Sequence, residues 1–433
     1  MSEIRLNNPF SVANQGKGVY GVLARATTLA QRYGLSSSKM DSAFEQLMLI
    51  LNEFECSATL PVTAKPLSRN LSSVHRLQSQ GIELAVHGNT HVDYSQLAFE
   101  QQFDQIIHAS QIFKKSGLLA SGFRCPYLRW NLDTLKAISE LGFEYDSSQA
   151  LAWDVAAGKE TEAYHRVLEF YHAQMAEEYL SLPRMVGDLV RIPYCLPDDE
   201  ALVERLNMDN RTGISDIWLA MLDRIYSAGE LFTLGLHPER SFQCKDALYA
   251  VLEKARSLSP TVWIARLSEI AKWYRSLGQV TFSSWVHNNG ATHVNVHAPR
   301  EATLLARSVD IQGPKKDWAN GYEHVLSNEI VLKSERFPWI GLAPDCPDSM
   351  KSFLKHQGFL VENSSNPTAF TYYFQREFFD SKDERPLLAE LESEDSPLLR
   401  VSRWPSGAQA ALAVTGDVDA FTLWDYGLRL FNS

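Results

Sequence analysis

The chain is poor in cysteine and contains no long apolar run. Its 433 residues include five scattered cysteines, and none of them belongs to a Cys-x-x-Cys pair. An odd, dispersed set argues against a disulfide framework and predicts reduced thiols. No stretch approaches the ~18 apolar residues of a membrane-spanning helix, and residues 1–18 lack the apolar core of a signal peptide. These absences predict a cytoplasmic protein without a membrane span.

Positive charge is also scarce. The chain has 41 lysines and arginines against 52 aspartates and glutamates, which gives a net charge of −11. Because phosphate backbones and anionic membranes attract a basic surface, this balance argues against a nucleic-acid or membrane partner. The length suggests two or three domains, although a barrel alone can absorb about 250 residues.

Strands and helices alternate as far as residue 278. Short apolar runs predict strands, and runs of helical periodicity lie between them. Such alternation favours an α/β fold with parallel strands joined by right-handed crossovers. The predicted strands are residues 56–64, 81–86, 122–127, 143–148, 188–194, 231–236 and 261–265. The predicted helices are residues 36–54, 72–80, 96–117, 132–142, a long stretch near 160–180, 215–229, 245–258 and 266–278.

The pattern changes between residues 279 and 398. Alternating runs such as THVNVHA, EIVLKSE and AFTYYFQREF are separated by turn-rich pieces, with one helix over residues 349–357. We interpret this part as a smaller accessory domain, β-rich or α+β. Residues 399–433 return to the first pattern, and AALAVT at 410–415 predicts one more strand. The predicted domains are therefore 1–278, 279–398 and 399–433, with the last completing the first.

Side chains able to do chemistry follow several predicted strands at the point where each strand ends. Taken singly, each has a structural explanation, such as a solvated loop histidine or a turn acid. The carboxyl ends of parallel strands meet at one end of an α/β barrel, so the coincidence of four such ends predicts a site. These side chains are His87 and His91 in HGNTH, Arg124 in GFRCPY, His237 in LGLHP, and Asp417 and Asp419 in TGDVDA.

Together these motifs resemble the polysaccharide deacetylases of the NodB-like type, carbohydrate esterase family four. The resemblance covers roughly residues 20–278 and 399–433, and it implies a distorted (β/α)7 barrel. It also implies metal-dependent hydrolysis of an N-acetyl amide on a sugar or glycan. The Asp-x-Asp form is similar to a subgroup that includes allantoinase-like amidohydrolases, so hydrolysis of a small amide or cyclic imide is an alternative. A non-catalytic glycan-binding protein is another.

The resemblance implies a role for each motif residue. Asp419, His87 and His91 would hold a divalent metal, with Zn²⁺ as the default and Ni²⁺, Co²⁺ or Fe²⁺ as alternatives. Asp417 would be the general base, paired with Arg124.

Two further roles concern the tetrahedral intermediate and the leaving group. The backbone N–H of Tyr127 would stabilise the oxyanion, and His237 would protonate the leaving amine. By family analogy an acid should orient His237, and Asp146 and Asp154 are the candidates.

The position of the aspartates is unusual, because this motif normally lies on the first strand. No strand bearing an aspartate precedes residue 56 here. The simplest explanation is circular permutation, in which the first strand has moved behind the accessory domain. The segment 421–431 would then continue into the N-terminal helices over 21–34 and 36–54. In the rival explanation, residues 399–433 complete the barrel of a second subunit in a homo-oligomer.

A second His-x3-His pair is treated as a decoy. In a strand, His293, Asn295 and His297 share one face while Val294 and Val296 share the other. This pattern predicts a polar outer face over an apolar inner one and not a metal site.

Overall fold

The computed structural model describes residues 29, 32–156, 158–208, 213–287, 290–393 and 395–431. Most of the predicted N-terminal helix over residues 21–34 lies outside these ranges. None of the helices in the described ranges is long and apolar enough to cross a membrane.

In the described part of the chain, a curled, mostly parallel sheet of nine strands forms the centre of the fold, as the alternating sequence pattern predicts. All the neighbouring pairs are parallel except the last, in which Arg184–Val186 runs antiparallel to Leu189–Arg191. The order across the sheet is Leu231–Gly235, Ala410–Thr415, Ala58–Val62, Glu83–Val86, Gly122–Phe123, Tyr145–Asp146, Leu189–Arg191 and Arg184–Val186, with Val262–Ile264 also paired to Ala410–Thr415.

Helices cover the sheet and confirm most of the predicted helical segments. Helix Ser38–Glu53 buries Met40, Phe44, Leu47 and Leu51, the residues spaced for one face. The predicted long helix near 160–180 is wrong in extent, because helix Glu162–Phe170 gives way to the strand Gln174–Met175. The other helices around the sheet are Ala64–Arg69, Leu71–Ser79, Phe99–Lys115, Leu132–Glu140, Gly213–Ala228, Ser241–Ser257, Leu267–Leu277 and Leu423–Phe431.

The strand Ala410–Thr415, called here the C-terminal strand, lies inside the sheet of its own chain. Its residues 411–415 pair in parallel with Leu231–Gly235, and its carboxyl end pairs with Ala58–Val62. Leu412 and Val414 contribute to one apolar cluster, and Ala411 and Ala413 contribute to the other. A strand buried on both faces needs an unbroken apolar run, which AALAVT provides. This location agrees with circular permutation, and the permutation itself stays a prediction.

The accessory region is β-rich, and its described residues include the α-helices Asp348–His356 and Glu384–Ser393. The sequence pattern predicts the first of these helices but not the second. The predicted boundary at residue 399 falls inside the strand Leu398–Val401, which pairs with Leu304–Arg307 of this region. One sheet of this region has the strand order Thr281–Val286, Thr292–His297, Glu329–Lys333 and Asp310–Gln312. A second has the order Lys315–Asp317, Tyr322–Val325, Leu304–Arg307 and Leu398–Val401. A third has the order Val361–Asn363, Phe337–Leu342 and Phe370–Phe374. A small sheet beside the barrel comprises Gln174–Met175, Ala150–Ala152 and Tyr194–Leu196.

Candidate active site

The two aspartates extend from the carboxyl end of the C-terminal strand. Val418, between them, is fully buried and bridges to Val62 of the neighbouring strand. Its N–H donates to the Pro61 carbonyl over 2.8 Å, and its carbonyl accepts from Thr63 over 3.1 Å. Because side chains alternate along extended backbone, fixing Val418 inward turns Asp417 and Asp419 to the same opposite side.

Gly416 allows this segment to pass close to the next strand end. A Cβ on Gly416 would lie 1.7 Å from the Leu236 carbonyl oxygen, so no other residue fits without moving the backbone. Leu236 donates its N–H to the Thr415 carbonyl at 2.7 Å. The close approach places Asp417 and His237 at the same level of the sheet.

His87 and His91 meet at the end of the strand Glu83–Val86. Their ring centroids are 5.2 Å apart. The chain bends at Asn89 and Thr90 between the two histidines, and Gly88, directly before the bend, has a φ of +74°. His87 Nε2 lies 3.4 Å from Asp419 Oδ1, and His91 Nε2 lies 3.2 Å from the same oxygen.

The donor atoms of Asp419, His87 and His91 suit a divalent metal. One ligand atom from each residue lies within 4.8 Å of the other two. His87 Nε2 is buried and has no hydrogen-bond partner among the described residues, and it lies, like His91 Nε2, opposite Asp419 Oδ1. An unsatisfied buried polar atom is costly, and an ion between these atoms would remove that cost. Two imidazoles and a carboxylate are typical zinc ligands.

Arg124 holds Asp417, as the resemblance implies. Its Nη1 donates to Asp417 Oδ1 at 2.8 Å, while its Nε and Nη2 donate to the carbonyl and hydroxyl of Ser147 at 3.0 Å each. The guanidinium is fully buried and lies over the ring of Tyr194, 4.7 Å from its centroid. Asp417 is therefore fixed by a rigid charged partner.

Both aspartates remain ionised well into acidic conditions. Burial would raise the pKa of Asp417, but His87, Arg124 and His237 outweigh it and lower that pKa below its usual value. Burial would likewise raise the pKa of Asp419, but Arg429, His91 and His87 hold it well below its usual range. The site therefore carries two carboxylates at neutral pH, and the arginine and histidine side chains named above lie around them.

Tyr127 lies beside the histidines in a strained backbone conformation. Its φ and ψ are 58° and 12°, in the left-handed region that a tyrosine seldom adopts. Its ring contacts His91 edge-on, with centroids 4.1 Å apart. The loop GFRCPY thus brings Tyr127 to the candidate ligands, and the role of its N–H as an oxyanion donor stays a prediction.

Asp199 orients His237, and the two acids suggested from the sequence do not. His237 Nδ1 lies 2.8 Å from Asp199 Oδ1, and the His237 N–H donates to Asp199 Oδ2 at 3.1 Å. Asp146 instead accepts from Arg191 and Ser148. The sequence feature that could have indicated Asp199 is the acidic pair Asp198 and Asp199, which follows Pro197 just after the strand that ends at Leu196.

Asp199 also affects how His237 titrates. Burial would lower the pKa of His237, but the charge and hydrogen bond of Asp199 raise it well above the usual value, with Glu239 and Asp417 adding to the effect. A histidine with a raised pKa keeps its proton at neutral pH. The geometry therefore provides a proton donor beside Asp417.

Arg429 is a further residue of the site that sequence reasoning missed. It lies on the helix Leu423–Phe431, called here the C-terminal helix, and contacts Asp419 and His91. Nothing in the local pattern LRLF distinguishes it from a surface arginine.

The decoy histidines take no part in a metal set within the described residues. His293 and Asn295 alternate with the buried Val294 and Val296 along Thr292–His297, as the strand pattern predicts. His293 stacks on Trp285 with centroids 5.0 Å apart. Its surroundings are those of a surface strand.

The comparisons with known proteins gave one family match, which covers part of the chain. Residues 37–145 match the family model described as polysaccharide deacetylase. A search of the curated proteins found no significant match.

Several solved structures are similar to part of this chain, and the three described here have TM-scores below 0.5. A protein of Mycobacterium smegmatis assigned to the polysaccharide deacetylases is 20% identical over 60% of this chain and 86% of its own, with a TM-score of 0.44. One of Pseudomonas aeruginosa PAO1 with the same assignment is 21% identical over 54% and 73%, with a TM-score of 0.43. The allantoinase Puue is 18% identical over 54% and 72%, also with a TM-score of 0.43.

The family match over residues 37–145 confirms the resemblance to polysaccharide deacetylases that the sequence motifs predict.

Proposed function

We propose that this protein is a metal-dependent deacetylase that hydrolyses an N-acetyl amide on a sugar or glycan, releasing acetate and a free amine. The observation that carries the proposal is the convergence of Asp417, Asp419, His87, His91 and His237 at one end of the sheet. Hydrolysis of an amide needs an activated water, a stabilised oxyanion and a protonated leaving group. The set offers a base and an acid for the two proton transfers, and the Tyr127 N–H is the proposed oxyanion donor beside it.

The metal would be held by Asp419, His87 and His91, with Zn²⁺ the ion their chemistry suits best. When bound, it would supply Lewis-acid activation of water and of the acetyl carbonyl. His87 is prepared for this role, because its Nδ1 lies 2.9 Å from the Arg124 carbonyl. A carbonyl only accepts, so the ring proton is on Nδ1 and Nε2 presents its lone pair.

Proton transfers are assigned to the other residues. Asp417 takes the proton from the attacking water, and Arg124 keeps it ionised and aligned for that step. His237, protonated and held by Asp199, gives its proton to the departing nitrogen. The Tyr127 N–H would donate to the oxyanion between them.

The substrate class is proposed from the family. A cytoplasmic location, which stays a prediction, would favour a nucleotide- or lipid-linked precursor or a short oligosaccharide over a wall polymer. The allantoinase-like alternative predicts turnover of cyclic amides without acetate release. The non-catalytic alternative predicts no turnover at all.

One experiment distinguishes these three. We expect purified protein to hold close to one divalent ion per chain and to release acetate from at least one acetylated sugar in a panel that includes cyclic amides. Asp419→Ala should abolish both the metal and the acetate, because it removes a buried anionic ligand. Full acetate release by Asp419→Ala, at unchanged metal content, would refute the assignment.

The raised pKa of His237 predicts a pH effect. A proton donor works below its own pKa and fails as the pH rises through it, so the alkaline limb of kcat should lie above the usual range for histidine. Asp199→Asn removes the charge that raises this pKa, and the limb should move down by about one to three pH units. A pH profile of acetate release measures the shift.

Asp198→Asn is the matched control for that profile. Asp198 accepts from the Tyr194 hydroxyl and the Ala201 N–H, both at 2.8 Å, and makes no hydrogen bond to His237. Its alkaline limb should move less than that of Asp199→Asn. Equal shifts in both variants would show that Asp199 has no special role.

A further inference from the structure

The guanidinium of Arg429 spans two of the three candidate metal ligands. Nη1 donates to Asp419 Oδ2 at 2.8 Å, and Nη2 lies 2.7 Å from His91 Nδ1. The arginine side chain is 14% exposed, so the contact is largely shielded from water. Shielded, charge-assisted contacts of this length are strong ones.

The C-terminal helix is anchored so that Arg429 reaches the site. Asp425, one helical turn before Arg429, is buried and accepts from Arg69 at 2.7 Å and from Asn70 at 3.1 Å. It also accepts from the N–H and hydroxyl of Thr422 at the start of the helix. These bonds fix the first turn, and the next turn carries Arg429 towards Asp419.

The contact with His91 decides where that ring carries its proton. A guanidinium has only donors, so Nδ1 must accept and cannot bear a hydrogen. A neutral His91 then has its proton on Nε2, the atom 3.2 Å from Asp419 Oδ1. A protonated ring nitrogen has no lone pair for a metal. In His87 the proton lies on the other nitrogen, because Nδ1 faces the Arg124 carbonyl and must donate to it.

The positive charge of Arg429 opposes metal binding, as the proton on His91 Nε2 does. Arginine stays cationic in proteins, and its group already neutralises Asp419 through Oδ2. A divalent ion on Asp419 Oδ1 would face this positive charge across a single carboxylate.

We propose that Arg429 competes with the divalent metal for Asp419 and His91, so that metal loading requires the guanidinium to leave His91. The proposal rests on the proposed function in taking these residues as metal ligands. Release of Arg429 lets the His91 ring move its proton to Nδ1 and present Nε2. Metal affinity is then set by how firmly the C-terminal helix holds Arg429 in place.

The test is metal affinity of the full-length protein, measured with Zn²⁺ against a chromophoric chelator. Arg429→Met removes the charge and both donors while keeping an apolar stem, and it should bind Zn²⁺ about 10- to 100-fold more tightly, the range for changes beside metal ligands. Arg429→Lys keeps the charge but has a single donor atom, so its Zn²⁺ affinity should lie between those of the wild type and Arg429→Met. Trp424→Ala, at a residue 68% exposed on the same helix, should match the wild type.

Co²⁺ absorption gives a second readout that does not depend on turnover. Arg429→Met should develop the spectrum of a histidine-ligated site at lower Co²⁺ concentration than the wild type. Equal or weaker affinity in folded Arg429→Met would overturn the competition and leave the metal site intact. If neither protein binds Zn²⁺ or Co²⁺, the metal site of the proposed function fails, and the competition fails with it.

Discussion

Asp417→Asn is expected to keep its metal and its fold while losing about 10²- to 10⁴-fold in kcat, the usual contribution of a general base. The carboxylate is ionised at neutral pH because His87, Arg124 and His237 outweigh its burial and lower its pKa. An asparagine oxygen can still accept from Arg124 at the same position, so the pair retains its geometry. The amide has no useful basicity, and the water would lose its proton acceptor.

The measurement is acetate release per metal-loaded chain, with metal content determined on the same sample. Loss of turnover together with the metal would place Asp417 among the ligands, and unchanged turnover would refute its role as base. Either outcome is separable from unfolding by the thermal transition of the variant.

Glu230→Gln provides a matched control for that experiment. Glu230 is also a buried carboxylate paired with an arginine, Arg385, at 2.9 Å. It precedes the strand Leu231–Gly235, so it lies at the opposite end of the sheet from Asp417. Glu230→Gln should lose stability, as expected when one partner of a buried pair is removed, and should retain turnover.

Removal of residues 410–433 is expected to prevent folding. The C-terminal strand lies between two others in the centre of the sheet, and its loss would leave both with unpaired backbone groups. Leu412, Val414, Val418 and Phe421 are all essentially buried. At about 1.5–3 kcal/mol for each such side chain, their loss is comparable to the 5–15 kcal/mol that stabilises a whole domain.

Circular dichroism and thermal unfolding of the truncated protein check this expectation. A cooperative transition near that of the full chain would contradict it. Adding the peptide 410–433 back in trans should restore part of the structure, because the strand supplies pairing to both neighbours. Sedimentation of the intact protein tests strand exchange, since an active monomer leaves no second subunit to provide the strand.

The sequence by itself predicted which strand ends carry the candidate site residues. Apolar runs fixed the strands, and parallel strands bring their carboxyl ends together whatever their order in the chain. That rule predicts that Asp417 and Asp419 lie close to His87, although the two segments are far apart in sequence. The apolar continuity of AALAVT also indicated a strand buried on both faces, as the sheet shows.

Only the tertiary structure decided the partners of these residues. Asp199 lies 38 residues from His237 and Arg429 lies 338 residues from His91, and neither distance leaves a periodic trace in the sequence. Asp146 and Asp154 were equally plausible from sequence, because which acid meets an imidazole depends on how strand ends curl in space. Local sequence patterns record burial and backbone direction. Charge pairing across a site depends instead on how segments that are distant in sequence approach one another in three dimensions.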